Sequence, residues 1–198
     1  MPVITISGSP CAPSRCTALL AHVAALLHKS GVNTQALVVR DLPAEDILHG
    51  RSGSDAIKSA GELIETAQGI VIATPIYKGA SSGVLKAFLD LLSQNALDGK
   101  VVLPIAVGGS SAHMLAVDYS LKPVLAALGA THVLGTVYAI DQQIRVTTGA
   151  QIDLDADIAS RLQDGVKKFI RAAALPSHTS KGVQQLRPVP KHVAAPAI

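Results

Sequence analysis

Val3-Ile4-Thr5-Ile6, followed by Ser7-Gly8-Ser9-Pro10-Cys11-Ala12-Pro13-Ser14-Arg15-Cys16-Thr17, decides how the chain folds. The four β-branched residues predict a buried strand, and the apolar helix pattern that starts at Ala18 and Leu19 predicts a helix directly after the polar loop. Strand, loop and helix make the first half of a βα unit. The loop carries hydroxyls, an arginine, a glycine and two prolines, and it ends where a helix presents unpaired N–H groups, which is the construction of an anion cradle. Two readings of it stand. In one, Ser14 caps the helix and nothing binds; in the other, Ser9, Ser14, Arg15 and Thr17, with Pro10 beside them, hold a phosphate. G-x-G-x-x-G is absent, because Gly8 has no glycine partner at position 10 or 13, and so is G-x-x-x-x-G-K-[ST]. A ligand ending in a single phosphate fits better than a dinucleotide or a nucleoside triphosphate.

Outward from this stretch, strand and helix patterns alternate. The first helix carries Leu19, Leu20, Val23, Leu26 and Leu27 and closes at Gly31, and a strand is predicted from Thr34 to Arg40. A polar loop from Pro43 to Gly53, a helix from Ser54 to Ala67 and a β-branched strand from Gly69 to Thr74 follow. Beyond the loop Pro75-Ile76-Tyr77-Lys78-Gly79-Ala80-Ser81-Ser82-Gly83 lies a helix marked by Val84, Leu85, Phe88, Leu89 and Leu92. A fourth strand from Val101 to Val107 ends in Gly108-Gly109-Ser110-Ser111-Ala112-His113. A helix from Met114 to Leu128, a fifth strand from His132 to Ile140 and a closing helix from Asp155 to Ala174 complete the series. Residues 1–175 are expected to form one domain, and the Pro-rich segment 176–198 a C-terminal tail. The βαβαβαβαβα alternation predicts an α/β, flavodoxin-like three-layer sandwich with a five-stranded parallel sheet in the order 2-1-3-4-5. The Gly/Ser-rich loops after strands one, three and four then meet at one rim. Proline inside the Met114 to Leu128 helix lacks the donor for the Tyr119 carbonyl, so the helix should kink or bulge around Tyr119.

The bulk composition narrows the function classes. The 198 residues are 48% hydrophobic and 16% charged, enough for a sizeable core, and no apolar run approaches the ~20 residues that a membrane span needs. Without a visible secretory signal the protein is expected in the cytoplasm. The net charge of +3 is spread out and aromatics are only 3%, so neither nucleic acid nor a membrane is an expected partner. Cys11 and Cys16 are expected to be unpaired structural residues, and no metal-ligand spacing, paired carboxylates or nucleophile elbow is present.

The three loops together suit flavin mononucleotide. The first offers phosphate donors; Pro75, Ile76, Tyr77 and Lys78 offer a flat wall; Gly79, Ser81 and Ser82 permit close backbone approach. Gly108, Gly109 and Ser110 offer peptide N–H groups to a ring edge, and His113 lines the mouth. Each has a plainer alternative: Tyr77 packing under a loop, Lys78 simply solvated, His113 a helix-start residue. The residues carry no acid–base machinery of their own, which suits chemistry done by a bound cofactor.

The motifs G-S-P-x-x-P-S-R at Gly8 to Arg15, A-T-P-I-Y-K at Ala73 to Lys78, G-K-V-V-L-P at Gly99 to Pro104 and A-V-D-Y-S-L-K-P-V-L at Ala116 to Leu125 resemble the NADPH-dependent FMN reductase family. The resemblance is to the branch that serves alkanesulfonate monooxygenases. It implies a homodimer or homotetramer that uses NADPH to reduce FMN for a flavin-dependent monooxygenase. It assigns phosphate binding to Ser9, Ser14, Arg15 and Thr17, the ring to Pro75 through Gly79 and Ser82, and its second edge to Gly108 through Ser110. It also places Tyr119 in a π-helical bulge at a subunit interface near the flavin. Many members carry arginine where this chain has Cys11. The residues alone leave a flavodoxin-type electron carrier and a quinone or azo reductase open as alternatives.

Overall fold

The computed structural model describes residues 2–146 and 152–175. The tail expected for 176–198 lies outside the described residues. Strand β1 (Val3–Ser7) leads into helix α1 (Arg15–Lys29) and then β2 (Thr34–Val38). The expected polar loop contains a short helix, α2 (Ala44–Leu48), before α3 (Asp55–Glu65). Strand β3 (Gly69–Tyr77) runs three residues further than expected and turns back into β4 (Ala80–Ser81), after which come α4 (Gly83–Leu89) and β5 (Val101–Gly108).

Parallel pairing places β2, β1, β3 and β5 side by side, with Ser7 opposite both Val38 and Ala73, and Ala73 opposite Ile105. The fifth position is filled by two short strands, β6 (His132–Val133) and β7 (Val137–Ile140), both parallel to β5. With these two counted as one strand, the order is the expected 2-1-3-4-5, and the fold is the flavodoxin-like three-layer sandwich. The single strand expected from His132 to Ile140 is thus corrected to two, and the cause lies on the neighbouring strand. The Val102 carbonyl accepts from Leu134 N at 2.9 Å. With a period of two, Pro104 also faces this neighbour and has no N–H to offer.

Alternation along the strands sorts the core into two layers. Ile4, Ile6, Ile70, Ile72 and Val102 point to the side covered by α2, α3 and α4. Val3, Val71, Leu103 and Ile105 point to the side covered by α1 and the closing helix, α7 (Ala156–Ala172). Gly69 lets that helix approach: a Cβ there would stand 2.6 Å from Phe169 Cζ. Helix α3 starts at the N-cap Ser54 as expected.

The helix expected from Met114 to Leu128 is two helices, α5 (Ala116–Ser120) and α6 (Lys122–Ala127), broken at Leu121 beside Pro123. The interruption keeps four-residue spacing, Leu121 N to Val117 O and Leu125 N to Leu121 O, both 3.0 Å. Tyr119 therefore sits next to a proline break and not in a π turn. A hairpin that the sequence reading lacked, β8 (Ile144–Val146) with β9 (Ile152–Leu154), precedes α7.

Candidate functional site

The C-terminal ends of β1, β3 and β5 form one rim because their registers align, and the three loops leave from it together. In the first loop Ser14 adopts extended geometry as the N-cap of α1, and its Oγ accepts from Thr17 N at 3.3 Å. Arg15 and Cys16, at the head of the helix, have no acceptor within it. Among the described residues, the amides of Ser9, Ser14, Arg15 and Cys16 donate to no protein acceptor. Ser9 is buried, with its Oγ accepting from Cys11 N at 3.4 Å. Thr17 is turned back under the loop, where its hydroxyl meets Ser7 Oγ at 2.9 Å.

The second loop is bolted to the first. Ser82 is the N-cap of α4: its Oγ accepts from Leu85 N at 3.3 Å and donates to the Gly8 carbonyl, while its N–H donates to Thr74 Oγ1 at 3.0 Å. Buried and fully engaged, Ser82 joins the two loops and has no hydroxyl proton left for a ligand. Gly8 is required for this contact, since a Cβ there would lie 2.8 Å from Leu85 Cβ. Lys78 (φ 52) and Gly79 (φ 77) are the two turn residues between the paired Tyr77 and Ala80. Left-handed geometry at both positions makes the turn type I′. Gly79 therefore serves the turn, at which Lys78 is exposed.

In the third loop Gly108 and Gly109 differ in their roles. A Cβ on Gly108 would fall 2.0 Å from Tyr138 Oη, whereas one on Gly109 would meet nothing. Gly108 thus makes room for Tyr138, whose hydroxyl donates to the Ser110 carbonyl at 2.7 Å and pins the loop.

A cleft of about 200 Å³ lies where the loops meet. Of the residues singled out in the sequence, Ser9, Ser14, Arg15, Pro75, Ile76, Tyr77, Gly108 and Gly109 line it. Pro10, Thr17, Lys78, Gly79, Ser82, Ser110 and His113 stand around it and off its wall. Tyr119 is 79% exposed on α5, the helix whose Ser120 Oγ accepts from Ser81 N at 3.0 Å.

Three further residues shape the site and went unnoticed in the sequence: Arg40, Asp141 and Tyr138. Arg15 faces Asp141 at 3.8 Å and donates from Nε to the Ile144 carbonyl at 3.4 Å, so it ties the first loop to the β7–β8 connection. Arg40 stands beyond the end of β2 and reaches back to the Cys11 carbonyl at 2.8 Å. Its signal in the sequence was its position, since a residue following a strand next to β1 emerges at the same rim.

Electrostatics separates the two thiols. Burial, then Asp141, pushes the Cys16 thiol up to about 12, so it stays protonated and inert. Cys11 is exposed at the cleft. Partial burial, then the Cys11 thiol, hold the Tyr77 phenol above its ordinary value.

The donors present fit a monophosphate ester with a flat ring. Free amides and the Ser14 cap head a fifteen-residue helix, Pro75 and Ile76 present an apolar wall, and Gly109 leaves its backbone open. Fold and rim together define a flavodoxin-like domain with a ligand crevice at the switch point between β1 and β3. The chain belongs to the NADPH-dependent FMN reductase family, whose profile matches residues 1–144. It is 43% identical over 185 residues to the FMN reductase (NADPH) of Pseudomonas putida, covering 92% of this chain and 94% of that one. It is 48% identical over 172 residues to the FMN reductase (NADPH) of Escherichia coli, covering 87% and 90%. Among solved structures, the apo form of the NADH:FMN oxidoreductase EMOB superposes with a TM-score of 0.77 at 37% identity, covering 86% of this chain and 89% of that one.

Proposed function

We propose that the protein uses NADPH or NADH to reduce FMN in the cytoplasm, and that it delivers reduced FMN to a flavin-dependent monooxygenase of the alkanesulfonate-oxidising kind. The observation that carries this reading is the meeting of unpaired amides at the head of α1 with the Pro75–Ile76 wall and the open Gly109 backbone across one cleft. FMN supplies the redox chemistry when bound, as the acceptor of a hydride from the nicotinamide. The chain's own residues bind and orient. Ser9, the Ser14 hydroxyl and the amides of Arg15 and Cys16 receive the phosphate. Pro75, Ile76 and Tyr77 lie against the ring and keep water from one of its faces, and Gly109 offers its N–H to the polar edge. Arg15 lines the same cleft beside Asp141, and the Nη groups that its bond to Ile144 leaves free add a positive charge for the phosphate. Among the described residues no helix is long and apolar enough to cross a membrane. The exposed Met114, Leu115 and Tyr119 form an apolar strip beside the β3–β4 hairpin, which supports assembly into a homodimer or homotetramer.

The test is steady-state oxidation of each nicotinamide with FMN, FAD or riboflavin in excess. Catalytic turnover with FMN is expected, and an absence of turnover with either nicotinamide would refute the reading. Transfer of reduced FMN is tested by hydroxylation in a coupled assay with a reductase-free monooxygenase. Sedimentation tests the assembly.

A further inference from the structure

We propose that Arg40 is a positioning residue of the phosphate loop, through which the chain prefers a phosphorylated flavin over riboflavin although Arg40 lines no wall of the cleft. The inference rests on the FMN reading above. Arg40 lies in the 3₁₀ turn Val39–Asp41, which carries the chain past Val38, the partner of Ser7. Its side chain therefore emerges level with the loop that leaves β1. From there Nη1 donates to the Cys11 carbonyl at 2.8 Å and to Thr17 Oγ1 at 3.4 Å, holding the loop at its middle and just past its end. Thr17 Oγ1 also meets Ser7 Oγ at 2.9 Å, so strand end, loop and first helical turn share one network.

Two consequences follow from that geometry. The Cys11 carbonyl is held outward on a cation, which leaves N–H groups to face the cleft. A fixed positive charge also stands behind those amides, on a side chain only 23% exposed. Its carboxylate neighbour, Asp41 at 3.6 Å from Nε, is 68% exposed and largely screened by water. Arg15, the other cation of the loop, is engaged with Asp141 and Ile144. Arg40 is therefore the guanidinium whose hydrogen bonds set the loop itself.

The experiment measures dissociation constants of FMN and riboflavin, by quenching of flavin fluorescence, for the wild type, Arg40→Ala, Arg40→Lys and Arg51→Ala. Arg51, paired with Glu45 and Asp46, is a charge-matched control away from the loop. Arg40→Ala is expected to weaken FMN by about tenfold or more and riboflavin by less than about twofold. Arg40→Lys should recover part of the loss, and Arg51→Ala should leave the FMN-to-riboflavin ratio where it was. Added salt should weaken FMN more in the wild type than in Arg40→Ala. Equal weakening of both flavins by Arg40→Ala would show a purely structural role and overturn the proposal, as would an unchanged ratio. If Arg40→Ala does not fold, the ratio in Arg40→Lys and Arg40→Gln decides by the same criterion. A wild type that turns over FMN while the ratio ignores Arg40 refutes this inference alone, whereas a wild type without FMN turnover refutes the functional reading and this inference with it.

Discussion

Gly108→Ala is the sharpest probe of how the sheet holds the third loop. The added methyl would lie 2.0 Å from Tyr138 Oη and 3.0 Å from its Cζ, and the first of these distances is one that no real carbon tolerates. Gly108 is fixed on β5 opposite Ile140, so the phenol is the part that moves. Moving it breaks the 2.7 Å bond to the Ser110 carbonyl and strands a phenol whose residue is only 4% exposed. Overpacking of this kind costs about 1–3 kcal/mol, and the lost hydrogen bond about 1 kcal/mol more. The sum, about 2–4 kcal/mol, corresponds to a fall in Tm of roughly 4–16 °C for a chain of this length.

Tyr138→Phe alone should cost about 1 kcal/mol, the share of the hydrogen bond. With the hydroxyl gone, the nearest ring atom is still only 3.0 Å from the new methyl, so Gly108→Ala in the Tyr138→Phe background should retain a residual cost of about 1 kcal/mol. A double-mutant cycle by urea unfolding at pH 7 should then give a coupling of about 1–3 kcal/mol. Equal cost of Gly108→Ala in both backgrounds would refute the claim that Gly108 exists to seat the Tyr138 hydroxyl. The same variant should weaken FMN binding, because the Ser110 carbonyl is released along with its loop.

Ser14 has two duties that substitution separates. Ser14→Ala should lower stability by about 1 kcal/mol in thermal unfolding through loss of the α1 cap. Ser14→Asp should keep the cap and the stability yet weaken FMN relative to riboflavin by about tenfold, since a carboxylate then meets the phosphate; an unchanged ratio would remove Ser14 from the phosphate site. The cysteines predict a reactivity difference and a pH slope. Native protein should give one fast thiol per chain with a disulfide reagent, lost in Cys11→Ser and slowed by FMN, because Cys11 is exposed at the cleft and Cys16 is buried. Burial raises the folded pKa of Cys16 from 9.0 to about 12, so the folded state binds more protons than the unfolded one between those values. Stability is then fully present below pH 9 and falls as pH rises toward 12, by on the order of 1 kcal/mol per pH unit, and Cys16→Ala should flatten that fall.

The parts of the molecule that were legible in advance are those whose cause is local. A strand buried on both faces must be apolar without alternation, as Gly69 through Thr74 is, and each such run followed by a helix pattern leaves few topologies for a parallel sheet. The convergence of Ser9, Tyr77 and Gly109 at one rim follows from that topology alone. The features that escaped were those whose cause sits on another segment. Pro104 splits the strand beside it; the Lys-Gly turn at 78–79 lacks the Asn-Gly or Asp-Gly signal that marks a type I′ hairpin.

Gly108 and Ser82 show the same division within the site. Both were visible as candidates because glycine and serine at a loop suit a ligand, yet the partner that claims each one is remote in sequence: Tyr138 for Gly108, and the Gly8 carbonyl for Ser82. Residue type at a loop therefore located the cleft without separating the residues that touch its contents from those that hold its walls. The separation depends on which groups still have a free donor once the protein's own bonds are made, and by that criterion the amides at the head of α1 remain while the Ser82 hydroxyl does not. The phosphate end of the site is accordingly built more from backbone than the run of hydroxyls in the first loop suggests. Replacing one hydroxyl there should then cost less affinity for FMN than any change that alters the path of the loop.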